Sequence, residues 1–124
     1  MEILCLVSAG ELLDKISILR IKRTRINDPA RVAHVERELD DLSRAARILD
    51  AHEDLIGELQ KVNELLWDVE DAIRLKERNQ QFDADFIALA RSVYRFNDRR
   101  FAIKEAVNRR YPSGIFEEKS YEAY

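Results

Sequence analysis

Apolar residues recur every three or four positions along most of this chain, the spacing that places side chains on one face of an α-helix. Residues 29–49 carry a coiled-coil-like seam made of Val32, Val35, Leu39, Leu42, Ala46 and Leu49. Residues 53–79 continue the pattern with Leu55, Leu59, Val62, Leu66, Val69 and Ile73. The pattern predicts long amphipathic helices.

Residues that begin and end helices divide this pattern into segments. Ser8, with Glu11 three positions later, has the spacing of a capping box, and Pro29 suits the first turn of a helix. Asp83 is a candidate N-cap, and residues 112–114 contain the Pro and Gly that stop a helix. We predict helices over residues 8–27, 29–49, 53–79 and 83–111, followed by a tail over residues 112–124.

Composition supports an all-α class. Apolar residues make up 46% and charged residues 36% of the 124 positions, with only three Gly and two Pro, which is typical of a helical bundle. A chain of this length forms one domain, and short connections make neighbouring helices antiparallel. We therefore predict a single antiparallel bundle of about four helices, with a short extended N-terminal segment and a C-terminal tail docked through Phe116 and Tyr121.

The N-terminal segment, residues 3–7, is apolar and predicts either a short strand or a packing arm. Its single cysteine, Cys5, is expected to be a buried, inert thiol. Burial of these arms, or of the heptad seam, between two copies predicts a homodimer. The chain has neither a signal-peptide pattern nor an apolar stretch long enough to cross a membrane, which predicts a soluble, cytoplasmic protein without membrane insertion.

Charge is distributed unevenly along the helices. Residues 15–25 hold five basic residues and no acidic one, and residues 91–110 hold seven basic and two acidic, whereas residues 36–71 hold twelve acidic and four basic. Opposite charges could select which helices pair, or the two basic helices could form a cationic groove for a phosphate or a carboxylate. The net charge of −3 argues against nucleic acid as a partner.

A second stripe on the third predicted helix, Asn63, Trp67, Glu70 and Arg74, consists of side chains that hydrogen-bond or ionise, around the only tryptophan. Counting from a turn at residues 79–84 places this stripe opposite the fourth helix. The arrangement predicts either a self-satisfied polar network that fixes helix register or a ligand site. The candidate ligand-binding residues are Lys15, Lys22, Asn63, Trp67, Glu70, Asp71, Arg74, Arg91, Tyr94, Asn97 and Asp98.

No pattern predicts a metal or a cofactor. His34 and His52 belong to no metal-binding motif, and the three glycines are too far apart in sequence to form a phosphate-binding loop. We therefore expect neither a metal site nor a bound cofactor.

Four segments together resemble an uncharacterised bacterial family known only as a domain of unknown function. They are Gly10 to Leu19, Leu66 to Asp71, Leu89 to Tyr94 with Asn97 and Asp98, and Glu117 to Tyr121. The resemblance covers nearly the whole chain. Members of that family occur near genes for sugar transfer and cell-surface polysaccharide, so the resemblance implies a supporting role in that metabolism, with no catalytic residue assigned.

Three functions fit these observations. The first is a helical module that binds a partner protein or a small anionic ligand. The second is an enzyme resembling all-helical chorismate mutases, which needs Lys15, Arg91 and Arg95 to converge with Glu70. The third is a Mg²⁺-dependent nucleotide pyrophosphohydrolase, whose ligands would be Glu64, Asp68, Asp71 and Asp98.

Overall fold

A computed structural model describes all residues from 1 to 124 and contains α-helices without a β-strand. The helices are α1 (Ala9–Arg25), α2 (Pro29–Ala45), α3 (Glu53–Arg78) and α4 (Ala84–Arg110), and a one-turn 3-10 helix (Ala46–Ile48) follows α2. The predicted all-α bundle is confirmed. The helix α2 ends before Leu49 because the chain tightens into the 3-10 turn, which keeps Ala46 buried.

Side-chain caps begin three of the four helices. The hydroxyl of Ser8 accepts a hydrogen bond of 3.2 Å from the backbone N–H of Glu11, as the capping-box spacing indicates. Asp28 caps α2 ahead of Pro29, and Asp83 caps α4. These caps satisfy backbone N–H groups that have no partner inside the helix, so they fix where each helix begins.

The helix α1 lies at the centre of the bundle and contacts each of the other three helices. Its apolar face supplies Leu13, Ile16 and Leu19 to the core, where they meet side chains of α2, α3 and α4. Gly10 allows α1 to approach α4 closely, because a Cβ atom at this position would lie 2.7 Å from the backbone oxygen of Lys104. The N-terminal end of α1 and the C-terminal half of α4 are therefore in direct backbone contact.

The helices α3 and α4 form an antiparallel hairpin whose distal half leaves the core. Positions 70–103 include no fully buried residue, and Phe86, Ala90 and Val93 are only half-buried. Val107, near the other end of α4, is fully buried. Since α1 covers only the proximal part of the hairpin and α2 packs on α1, apolar spacing on the distal part of the hairpin produces a two-helix contact rather than a core.

Ion pairs join the basic helices to the acidic ones. Arg20 of α1 makes two hydrogen bonds of 3.0 Å to the carboxylate of Glu53, and Arg25 bonds to Asp68 of α3 at 2.6 Å. Arg110 of α4 likewise pairs with Asp54. Each exposed pair contributes little by itself, but together the pairs favour this arrangement of helices over alternatives that bring like charges together.

The N-terminal segment differs from its prediction. Residues 1–7 form neither a strand nor a packed arm, and the side chains of Leu4 and Leu6 are exposed. Cys5 is exposed as well, so the predicted buried thiol is wrong. The reason is that helical side chains from Ala9 onward complete the core without this segment. None of the helices combines the length and the hydrophobicity needed to cross a membrane.

The C-terminal tail contacts the bundle as predicted, but charged groups contribute more to this contact than its aromatic rings do. Phe116 and Tyr121 lie beside α4, where each lines a cavity between the helix and the tail, and they stay about three-quarters exposed, at 75% and 77%. Charged groups attach the tail, chiefly an ion pair of 2.8 Å between Glu117 and Lys104. The apolar core is already closed by Val107, so the two rings lie on the surface of α4 and outside the core.

Candidate functional site

A buried polar network links α1 to α3. The side-chain amide of Asn63 donates one hydrogen bond of 2.9 Å to the carboxylate of Asp14 and another of 2.8 Å to the hydroxyl of Ser17. The Ser17 hydroxyl in turn donates to the backbone carbonyl of Asp14 at 2.7 Å. All three side chains are buried, and no buried polar side-chain atom in the protein lacks a partner. The orientation of Asn63 is therefore fixed by its two donors.

Arg100 of α4 extends this network to the surface. Its guanidinium donates a hydrogen bond of 3.3 Å to the side-chain oxygen of Asn63. No carboxylate lies within ion-pair distance of Arg100, whereas Arg20, Arg25 and Arg110 each pair with an acid. A half-buried guanidinium without a carboxylate keeps several N–H donors for an anion. Arg100 is thus the cation best placed to bind a ligand.

An open groove of about 430 Å³ lies between α1, α3 and α4, with Arg100 in its wall. Five of the residues predicted to bind a ligand line this groove, namely Asn63, Trp67, Glu70, Asp71 and Arg74. Ile18, Ile21 and Leu66 supply apolar walls. The polar stripe of α3 therefore faces a concave surface, with apolar, aromatic and charged groups next to one another.

The cations at the rim of the groove already have acidic partners, whereas the carboxylate of Asp71 has no ion pair. Glu70 accepts a hydrogen bond of 3.2 Å from Arg74 one turn later on the same helix. The guanidinium of Arg25 lies 5.8 Å from the ring centroid of Trp67, and its hydrogen bond to Asp68 raises the pKa of Arg25 further. Because Arg25 and Arg74 already pair with carboxylates, Arg100 is the guanidinium that an anion entering the groove would find without an acidic partner.

The remaining predicted site residues lie elsewhere. Tyr94, Asn97 and Asp98 line a larger cavity of about 720 Å³ between α4 and the tail, and Arg91 lines a third one further along α4. Lys15 pairs with Glu38 on the α2 side of the bundle. Lys22 lines none of these three cavities. The predicted ligand-binding residues are therefore divided between separate surfaces, because facing helices bring only part of each polar stripe into one groove.

Lys104 is a functional candidate that the sequence prediction missed. This lysine is buried, and its ammonium binds Glu11 at 2.9 Å and Glu117 at 2.8 Å. Burial lowers the pKa of Lys104, but hydrogen bonds to Glu117 and Glu11 outweigh that effect and raise it. The sequence did contain a signal that Lys104 is buried, since it lies three positions from both Phe101 and Val107, on the inward side of α4. It connects the first and the last segments of the chain.

The geometry also bears on the two enzymatic alternatives. Lys15, Arg91 and Arg95 do not converge with Glu70, so the arrangement required by a chorismate-mutase-like enzyme is absent. The four carboxylates considered as Mg²⁺ ligands do not come together either, since no three or more His, Cys, Asp or Glu residues form a potential metal-binding group. Asp68 and Asp98 are instead bound to Arg25 and to Tyr124.

Fold and groove together define a small all-helical protein with a concave polar site beside its core. The chain belongs to a family of unknown function, DUF6165, whose model matches residues 3–124. The resemblance inferred from the sequence segments to a family of unknown function is confirmed. No curated protein and no solved structure is significantly similar to this chain.

Proposed function

We propose that this protein is a binding module for a small organic anion, and that Arg100 is the group that holds the anion. The observation that carries the proposal is the half-buried guanidinium of Arg100, which has no carboxylate partner and lines the groove and the tail cavity at once. Such a guanidinium matches the geometry of a carboxylate or a phosphate, to which it can donate two parallel hydrogen bonds.

The network behind Arg100 supports this role. Asn63 uses both of its amide donors on Asp14 and Ser17, so its oxygen is held toward Arg100. A guanidinium positioned by a fixed acceptor loses less side-chain entropy on binding than one that is free in solvent. The arrangement therefore favours binding at Arg100 over binding at the exposed arginines of the same helix.

The walls of the groove favour an organic ligand over an inorganic ion. Trp67 offers a half-buried ring, and Ile18 and Leu66 offer apolar surface beside the charged groups. Ligand sites commonly combine such apolar walls with a few polar groups that fix orientation. An anion held by Arg100 on the groove side would accordingly place an apolar or ring-shaped part against Trp67.

A thermal-shift screen tests the proposal. The panel contains chorismate, sugar phosphates, nucleotide sugars, and nucleoside triphosphates with and without Mg²⁺. A ligand at about 100 times its dissociation constant adds roughly 2.7 kcal/mol of stability, a shift of several degrees. We expect at least one anion to stabilise the wild-type protein and the Arg99→Gln variant, but not Arg100→Gln. A hit that Arg100→Gln leaves unchanged would contradict the proposal.

Two finer proposals accompany it. A supporting role in bacterial sugar transfer or surface-polysaccharide metabolism follows from the sequence resemblance, and it makes sugar phosphates and nucleotide sugars the first ligands to test.

The second finer proposal is self-association through the N-terminal segment, supported by the exposure of Leu4 and Leu6. Light scattering should then detect a dimer that Leu4→Ser disrupts. The Cys5 thiol should also react with a thiol reagent more slowly as protein concentration rises. A monomer at all concentrations would rule out the dimer.

A further inference from the structure

The C-terminal tail returns along one face of α4. Glu117 binds Lys104, and the ammonium of Lys119 lies 5.4 Å from the ring centroid of Phe101. Further on, the hydroxyl of Tyr124 donates a hydrogen bond of 2.5 Å to Asp98. These contacts on α4 lie three positions apart along the helix, so they form a single stripe, and the tail runs antiparallel to it.

The tail covers this stripe without filling the space beneath it. A cavity of about 720 Å³ remains between the tail and α4, within the range of small-molecule sites. Aromatic rings line it from both sides, Tyr94 and Phe101 from the helix and Tyr121 and Tyr124 from the tail. The ring of Tyr124 contacts the ring of Tyr94 edge to face, with centroids 4.9 Å apart, and Tyr121 and Tyr124 both stay largely exposed.

We propose that this cavity binds a mononucleotide, with the base between the rings of the helix and the tail and the phosphate on Arg100. The inference rests on the proposed function, because Arg100 supplies the anion-binding group in both. It adds the chemical class of the ligand and gives the tail the role of a strap that contributes part of the site.

The chemistry of the lining matches each part of a nucleotide. Aromatic side chains stack on a base of any identity, because every base has a π face. Asn97 and Asp98 provide an amide and a carboxylate, which can hydrogen-bond to the polar edge of a base. Lys119 adds a second cation on the tail side, where it pairs with Glu117 at 3.6 Å, so the phosphate would be held by Arg100 with Lys119 nearby.

The strap has an attachment point outside the cavity. Lys104 and Glu117 are not among the residues that line it, and their ion pair lies one turn away from Arg100 along α4. A ligand can therefore enter beneath Tyr121 and Tyr124 while Glu117 stays bound. The base would take the place of the Tyr124 ring against Tyr94 and free Asp98 from its hydrogen bond to Tyr124, so only the last few residues of the tail need to move.

Two ligands that share a phosphate, of which only one carries a base, show how much each group contributes to affinity. Isothermal titration calorimetry compares adenosine 5′-monophosphate with ribose 5-phosphate, which has the phosphate and lacks the base. Stacking on aromatic side chains should make the nucleotide bind at least about tenfold more tightly. Tyr121→Ala should remove most of that advantage. The control Phe116→Ala, an equally exposed ring of the same tail that lies outside the cavity, should retain it.

The outcomes distinguish this inference from the proposed function. Equal affinity for the two probes, or a preference that survives Tyr121→Ala, would overturn nucleotide binding under the strap and leave anion binding at Arg100 intact. Failure of both probes to bind overturns the nucleotide assignment, while the thermal-shift screen still decides whether another anion binds. Nucleotide binding that Arg100→Gln does not weaken would contradict the proposed function itself.

Discussion

Asn63 and Asp14 form a buried hydrogen bond of 2.9 Å that joins α3 to α1 across 49 positions of sequence. Replacing Asn63 with Ala would leave the Asp14 carboxylate without this donor in a buried position. We expect Asn63→Ala to lower the free energy of unfolding by about 1–3 kcal/mol, because an unsatisfied buried acceptor loses its hydration without compensation. Urea unfolding followed by Trp67 fluorescence measures the change.

Gln60 provides the control for this prediction. It lies one turn earlier on α3 and bonds only to Glu64 of the same helix. The change Gln60→Ala should cost less than about 0.5 kcal/mol. Equal effects of the two variants would mean that the Asn63 network contributes no more than an ordinary surface contact.

Replacement of Gly10 and of Gly57 with Ala should have opposite effects on stability. A Cβ atom at Gly10 would lie 2.7 Å from the backbone oxygen of Lys104, so Gly10→Ala must push α1 away from α4. Gly57, inside α3, has no neighbouring atom within 4 Å of such a Cβ. We expect Gly57→Ala to stabilise the protein by up to about 1 kcal/mol through helix propensity, and Gly10→Ala to destabilise it. Thermal unfolding of both variants checks the contrast, and a stabilised Gly10→Ala would contradict the close helix contact.

Glu70 is expected to contribute little to stability. Its carboxylate pairs only with Arg74 on the same helix, and both side chains are well exposed. Glu70→Gln should therefore change the free energy of unfolding by less than about 0.5 kcal/mol in a urea titration. A loss of about 1–3 kcal/mol would instead place Glu70 in a buried network.

The attachment of the tail should depend on pH. Burial raises the pKa of Glu117, but the hydrogen bond from Lys104 outweighs it and holds that pKa below its ordinary value. Because the folded pKa is lowered, the stabilising contribution of Glu117 is present at neutral pH and is lost as the pH falls through it. The pKa of Lys104 is raised, so its contribution is lost only in the alkaline range.

Glu117→Gln tests this attachment. We expect the variant to lose about 1 kcal/mol at neutral pH, a small value because the carboxylate is partly exposed, and to match the wild type in acid below the lowered pKa. Urea unfolding at a series of pH values measures the difference. The control Glu118→Gln changes a neighbouring residue that has no ion pair, so its free energy of unfolding should equal that of the wild type at every pH. If Glu117→Gln lowered the free energy of unfolding by the same amount at every pH, the ion pair could not be the cause.

Local signals were sufficient to predict the helices. The caps Ser8, Asp28 and Asp83 mark where α1, α2 and α4 begin, and periodic apolar positions identify the inward faces. The ends of the chain could not be predicted in the same way. Hydrophobicity at Leu4 and Phe116 indicates a tendency to be buried, but whether a core has room for them depends on how the helices already fill it.

The candidate site was predictable in part for a similar reason. The stripe from Asn63 to Arg74 lies on one helix, so helical spacing was enough to place its members together. The partners of this stripe come from α1 and α4, and spacing within α3 holds no information about them. Arg100 and Lys104 were missed because their roles depend on Asn63, Glu11 and Glu117, which are far away in sequence.

The most direct test of anion binding is a nuclear magnetic resonance titration that observes the arginine side-chain N–H groups. Adenosine 5′-monophosphate, or the strongest hit of the thermal-shift screen, is added to uniformly ¹⁵N-labelled protein. The Arg100 signal is assigned by its loss in Arg100→Lys. We predict that the Arg100 signal shifts saturably while that of Arg99 stays in place. Small, unsaturable shifts of all arginines alike, with Arg100 no different from its neighbours, would contradict the account.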